Sequence, residues 1–157
     1  MSEVRTIEGE PDARGRRVAI VASRFNDFIV SSLLKGAIEA WRERGGAPSD
    51  LLVAHVPGAF ELPLAARTLA ASRRYDALVA LGCVIRGDTP HFDYVAGECA
   101  RGLQLASLET GVPIAFGVLT VNTAEQALER AATTGANKGA AAMHTALEMA
   151  GLLARLG

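Results

Sequence analysis

Cysteine is scarce. The chain has two, Cys83 and Cys99, in 157 residues. They form no C-x-x-C pair, and no group of His, Cys, Asp and Glu has metal-ligand spacing. The sequence thus argues against a disulfide framework or a zinc site, and a reducing cytoplasm is the expected setting. Charge of one sign is also lacking. Sixteen Lys and Arg stand against 17 Asp and Glu, for a net charge of −1, and the pI is about 6.3. With no basic run there is no footing for nucleic acid or an anionic membrane surface. No apolar run approaches the ~20 residues that a bilayer span requires. The polar N-terminus carries no apolar leader core. Ser23 sits outside any G-x-S-x-G elbow, so a serine hydrolase reading is poor. The glycines near position 87 lack the spacing of a P-loop or a Rossmann fingerprint. There is no internal repeat and no domain linker.

What is present is a globular composition: 50% hydrophobic and 21% charged residues. The whole chain, 1–157, is expected to form one domain with a real core. Residues 1–14 are polar, with Gly9 and Pro11. They are expected to be a flexible arm or an edge segment for a partner. The mean hydropathy of +0.22 lies on the apolar side for a small soluble domain. It hints at apolar surface covered between subunits.

Four short apolar segments read as buried strands: Val18–Ala22, Leu51–Val56, Ala77–Ile85 and Pro113–Leu119. Each is followed by a helical pattern. The first helix carries Ile29, Leu33, Leu34, Ala37, Ile38 and Trp41, and stops at Gly45-Gly46. The second is alanine-rich and ends near Arg73-Arg74. The third spans about His91 to Glu109, before Gly111. A short fourth helix has Thr123 as N-cap and Gln126 at N3, and ends at Arg130. The last runs from Ala140 to Leu156. Strands alternating with helices give a three-layer α/β/α sandwich around a four-stranded parallel sheet, of the flavodoxin-like kind. Ligands of such sheets bind beyond the carboxyl ends of the strands. Here those ends carry Phe25, then Pro57 to Glu61, then Gly87 to His91, then Thr120 to Thr123. These loops are expected to approach one another, although the strand order is open.

The chain is organised around Leu81 to Val95, where a strand feeds a glycine turn and then a helix N-terminus. Unpaired backbone N–H groups and the helix dipole both favour an anion there. Asp88 repels a phosphate, so its backbone would have to do the binding. His91 stands beside that turn, and imidazole is the side chain that exchanges protons near neutral pH. Two readings of Phe25 stand side by side: a hydrophobic staple to the next helix, or a flat platform for an aromatic ligand. Glu61 serves either as a first-turn carboxylate on a helix dipole or as an acceptor for ligand hydroxyls. Arg130 and Lys138 flank a turn and, taken singly, read as solvated charges. His55 and His144 have no partner in sequence and are assigned structural roles.

Several motifs occur in one order: Arg24-Phe25-Asn26, Val56 to Pro63, Gly82 to Val95, Phe116 to Thr120, Glu125-Gln126-Ala127 and Asn137-Lys138-Gly139. Together they closely resemble the lumazine synthase family, over about Arg17 to Leu153. The resemblance implies an enzyme that condenses 5-amino-6-ribitylaminouracil with a dihydroxybutanone phosphate. The products are 6,7-dimethyl-8-ribityllumazine, phosphate and water, in the penultimate step of riboflavin biosynthesis. It implies no metal and no organic cofactor.

By the same resemblance, Phe25 stacks on the pyrimidine, and Ala59, Phe60 and Glu61 line the ring and ribityl chain. Cys83, Val84 and Ile85 offer backbone hydrogen bonds to the ring edge. Gly87, Asp88 (through its N–H) and Thr89 hold the phosphate, with Arg130 as its cation. His91 is the proton shuttle. Phe116, Arg130 and Lys138 arrive from a neighbouring subunit, with Lys138 near the uracil or the phosphate. The family forms pentamers, and in many members twelve pentamers close a shell. The short turn between Arg130 and Asn137 favours the shell, and riboflavin synthase is a partner to expect. Two rival readings are a flavin- or phospholigand-binding module on the same fold, and a shell protein with a vestigial site.

Overall fold

The computed structural model describes residues 3–157; Met1 and Ser2, the tip of the expected arm, lie outside them. Four strands, β1 (Val18–Ser23), β2 (Leu51–Val56), β3 (Ala77–Ile85) and β4 (Ile114–Val121), form one parallel sheet. The spatial order is β2-β1-β3-β4. Between them run α1 (Asp27–Glu43), α2 (Leu62–Ala71), α3 (His91–Thr110) and α4 (Ala124–Ala131), with α5 (Lys138–Leu156) last. This is the expected three-layer α/β/α sandwich of flavodoxin-like type.

Alternation along each strand sends successive side chains to opposite faces. Val18, Ile20 and Ala22 pack with α1, α4 and α5, while Ala19 and Val21 pack with α2 and α3. Every residue of β1 is therefore buried, which is why the strand reads as continuously apolar. Glycine makes the closest helix contact possible. A Cβ on Gly139 would run into the backbone of Leu33, so only glycine lets α5 lie this close on α1.

Two boundaries differ from expectation by a couple of residues. Helix α5 begins at Lys138 because the Asn137 side chain caps it, accepting from the Ala140 N–H at 2.9 Å. Strand β4 runs on to Val121 because β3 continues beside it as far as Ile85. The arm also differs in part. Its far end lies on the body of the molecule: Gly9 sits against the backbone of α5 near Glu148. Ala13 is buried, and its N–H donates to the Arg44 carbonyl at 3.1 Å.

Candidate active site

The sheet order decides where a ligand can sit. From β1 the chain goes outward to β2 on one side and then returns to β3 on the other. The crevice of such a sheet lies at this reversal, outside the carboxyl ends of β1 and β3. Strand β3 outruns β1 here. Its pairing with β1 stops at Ala22 and Leu81, whereas its pairing with β4 continues to Ile85 and Val121. Residues 82–85 thus have no strand partner on the β1 side. The Asn26 amide reaches across, donating to the Cys83 carbonyl at 2.9 Å. Asn26 itself adopts a left-handed conformation (φ 60°), one that asparagine tolerates better than most side chains.

A cleft of about 790 Å³ opens at this place. Phe25, from the β1 loop, lines one wall, and its N–H is tied to the Pro57 carbonyl of the β2 loop at 3.0 Å. Phe25 is 71% exposed, which favours the platform over the staple. Ala59, Phe60 and Glu61, in a single 3-10 turn before α2, also line the cleft. Gly58 lies beside the Glu61 carboxylate; a Cβ there would stand 3.2 Å from Oε1. Cys83, Val84 and Ile85 form the floor. The Cys83 and Cys99 thiols are buried, and burial pushes both up to about 11. Cys83 therefore presents backbone, not thiolate, to the cleft.

Gly87, Thr89 and His91 complete the rim, and Asp88 between them does not line it. No side chain caps α3. Thr89 Oγ1 lies 3.4 Å from the His91 N–H as its acceptor. The first turn of a helix so lightly satisfied keeps N–H groups for an anion.

Arg86, just before this turn, was not picked out from the sequence. Its Nε donates to Asn122 Oδ1 at 3.0 Å, its Nη1 lies 3.4 Å from Asp93 Oδ1, and its guanidinium stacks 4.4 Å over Phe92. It thereby ties the anion turn to the loop after β4. Phe92, Tyr94 and Val95 also line the cleft without having been named as site residues. Their signal was the spacing from His91 on the first turns of α3.

Phe116, Arg130 and Lys138 are elsewhere. They line a second cleft of about 460 Å³ along the outer edge of β4, with Thr120 and Thr145. The two clefts share no lining residue. The loop after β4 thus meets the anion turn through Asn122 and Arg86, but none of its residues lines the first cleft; β4 is the far edge of the sheet. Arg130 ends α4, whose capping box is formed as the sequence indicates: Gln126 N–H donates to Thr123 Oγ1 at 3.2 Å, and Thr123 N–H to Gln126 Oε1 at 3.3 Å. Its guanidinium donates to the Gln126 carbonyl at 3.0 Å and stays half exposed. His55 and His144 line neither cleft. Among the described residues no three His, Cys, Asp or Glu side chains cluster as metal ligands.

The family model for 6,7-dimethyl-8-ribityllumazine synthase matches residues 15–154. The chain belongs to that lumazine synthase family. It is a transferase of riboflavin biosynthesis whose reaction forms 6,7-dimethyl-8-ribityllumazine. The lumazine synthase match covers all the residues that line the two clefts. Among the described residues no helix is long and apolar enough to cross a membrane.

Proposed function

We propose that this lumazine synthase works in a site built by two copies of the chain, each copy, 1–157, acting as one unit. One observation carries the reading. A cleft with an exposed aromatic, a carboxylate and a histidine lies apart from a cleft with an aromatic and two cations, on the same chain. The first cleft is lined by no Lys or Arg to pair with a phosphate, and the second by no carboxylate or histidine. Apposed, they supply both sets of groups.

In this arrangement Phe25 stacks on the pyrimidine of 5-amino-6-ribitylaminouracil, with Phe116 of the adjoining copy against it. Ala59 and Phe60 flank the ring, and Glu61 accepts ribityl hydroxyls. The free edge of β3 at Cys83, Val84 and Ile85 reads the ring by backbone hydrogen bonds. Gly87, the Asp88 N–H, Thr89 and the α3 N-terminus hold the phosphate of the butanone substrate. Arg130, from the other copy, pairs with it, and Lys138 adds a second cation nearby. The substrate amine attacks the ketone and water leaves, giving an imine. Phosphate then departs by elimination, the ribitylamino nitrogen closes the ring on the second carbonyl, and a second water leaves. His91 carries protons between these steps. Holding two reactive molecules together out of water supplies much of the rate.

The same surface supports self-association. The accessible area is 8844 Å², against about 7,500 Å² for a compact monomer of this mass. Leu64, Tyr94 and Leu108 are each about seven-tenths exposed. Pentamers are the proposed unit, with twelve closing a shell as favoured by the short turn after α4. Riboflavin synthase, which consumes the product, is the proposed protein partner, and the cytoplasm the proposed setting. Mixing both substrates with purified protein tests the activity: lumazine fluorescence should rise well above the uncatalysed rate. Tight flavin binding without turnover would favour the binding-module alternative, and the native particle mass reports the assembly.

A further inference from the structure

Among the described residues, Asn137 makes more hydrogen bonds than any other buried polar side chain. It is 6% exposed, and its amide makes three hydrogen bonds to three different helices. Nδ2 donates to the Ala131 carbonyl at the end of α4 at 3.0 Å, and to the Ser32 carbonyl of α1 at 3.1 Å. Oδ1 accepts from the Ala140 N–H in the first turn of α5 at 2.9 Å. Gly36 makes room for it; a Cβ there would overlap the amide. Of these bonds only the last is an ordinary helix cap. The other two satisfy main-chain carbonyls on other elements, one of them an orphan of a helix end.

The neighbours of those bonds are the two cations of the second cleft. Ala131 follows Arg130, and Lys138 follows Asn137. The connection between α4 and α5 is otherwise an exposed turn, with Gly135 at φ 92°. Nothing in the turn itself fixes how the end of α4 stands relative to the start of α5. We infer that Asn137 is a positioning residue: it sets Arg130 and Lys138 at one spacing by tying the last turn of α4 and the first turn of α5 to α1. This rests on the phosphate-binding role given to Arg130 above. A cation held by a bound helix end loses less freedom when it engages its anion, and a small misplacement of such a group costs binding and rate steeply.

The test uses Asn137→Ser, which keeps an N-cap hydroxyl for α5 but is too short to donate to both carbonyls, and Asn137→Asp, which keeps the acceptor and loses the donors. Both are assayed as assembled full-length protein, beside Arg130→Ala and the Asn137→Ser/Arg130→Ala pair. The expected result is a KM for the butanone phosphate about five- to tenfold higher in each single Asn137 variant. The Ki of inorganic phosphate should rise by a similar factor, with kcat changed less. In the Arg130→Ala background, Asn137→Ser should add nearly nothing, because the group it acts through is gone. A raised KM in Arg130→Ala beside an unchanged one in both Asn137 variants overturns the inference and spares the proposed function. Full additivity in the pair overturns it also, as does loss of the folded particle in both Asn137 variants. An unchanged KM in Arg130→Ala defeats the phosphate role itself, and the inference with it.

Discussion

Arg130 and His91 are given different work, and substitution separates them. In the proposed site Arg130 pairs with a phosphate that is present before and during reaction, so its loss should weaken binding. Arg130→Ala should raise the KM for the butanone phosphate about 10- to 100-fold, the worth of a charge-assisted hydrogen bond. His91 moves protons, so His91→Ala should lower kcat, on the order of a hundredfold at most where proximity already supplies much of the rate, with a much smaller change in that KM. Steady-state kinetics on both variants checks the split, and equal effects on both parameters would defeat the roles. The thiols give a pH dependence. In the folded chain burial raises Cys83 and Cys99 from 9.0 to about 11. A group raised on folding stabilises the fold fully below its unfolded value and loses that contribution as pH rises through the folded one. Stability should therefore fall between about pH 9 and 11, as the unfolded chain releases thiol protons that the folded chain retains. Urea midpoints across that range measure it. Removing Cys99, by Cys99→Ala, should flatten the slope even though the cavity lowers stability overall.

Among the elements, those whose logic is local were legible. Strand β3 was found to the residue because eight consecutive buried positions, Ala77 to Val84, leave no alternation to misread. Helix α4 was found because its capping box is contained in four residues. Phe25 was undecided, since a staple and a platform have the same sequence; its exposure favours the platform. Arg86 and Asn137 were missed for a different reason. Their partners lie far along the chain, at Asn122 and at Ser32, and no local pattern announces a long-range hydrogen bond. The strand order was open because all four strands are apolar enough to pair with any neighbour. Close helix packing is another long-range fact. Gly139 reads as part of a turn, yet it is the contact that seats α5 on α1. Gly139→Ala should cost about 1–3 kcal/mol through overpacking against backbone that cannot yield. Thermal unfolding should show it, and an unchanged midpoint would mean that α5 shifts freely on α1.

At the scale of the whole molecule, the sheet separates two groups of residues that the proposed site must bring together. The residues at 25, 61 and 91 gather at the strand ends near the middle of the sheet, while those at 116, 130 and 138 gather at its far edge. Only the resemblance to a known family indicated that the second group serves a neighbour; nothing in composition or periodicity could. A site shared in this way has a consequence that a self-contained one lacks. Take one variant crippled in the first cleft, Phe25→Ala with His91→Ala, and another crippled in the second, Arg130→Ala with Lys138→Ala. Each should be nearly inactive as a pure assembly. Unfolded, mixed in equal amounts and refolded together, they should regain about a quarter of full activity. Random neighbours place an intact first cleft against an intact second cleft at one interface in four, as expected of head-to-tail contacts in a ring. If each chain carried its own complete site, no mixed interface could be better than its parts. The refolded mixture would then show only the mean of the two parents. Activity at that mean, in particles shown by mass to contain both variants, would put the reaction inside a single subunit and refute the shared site.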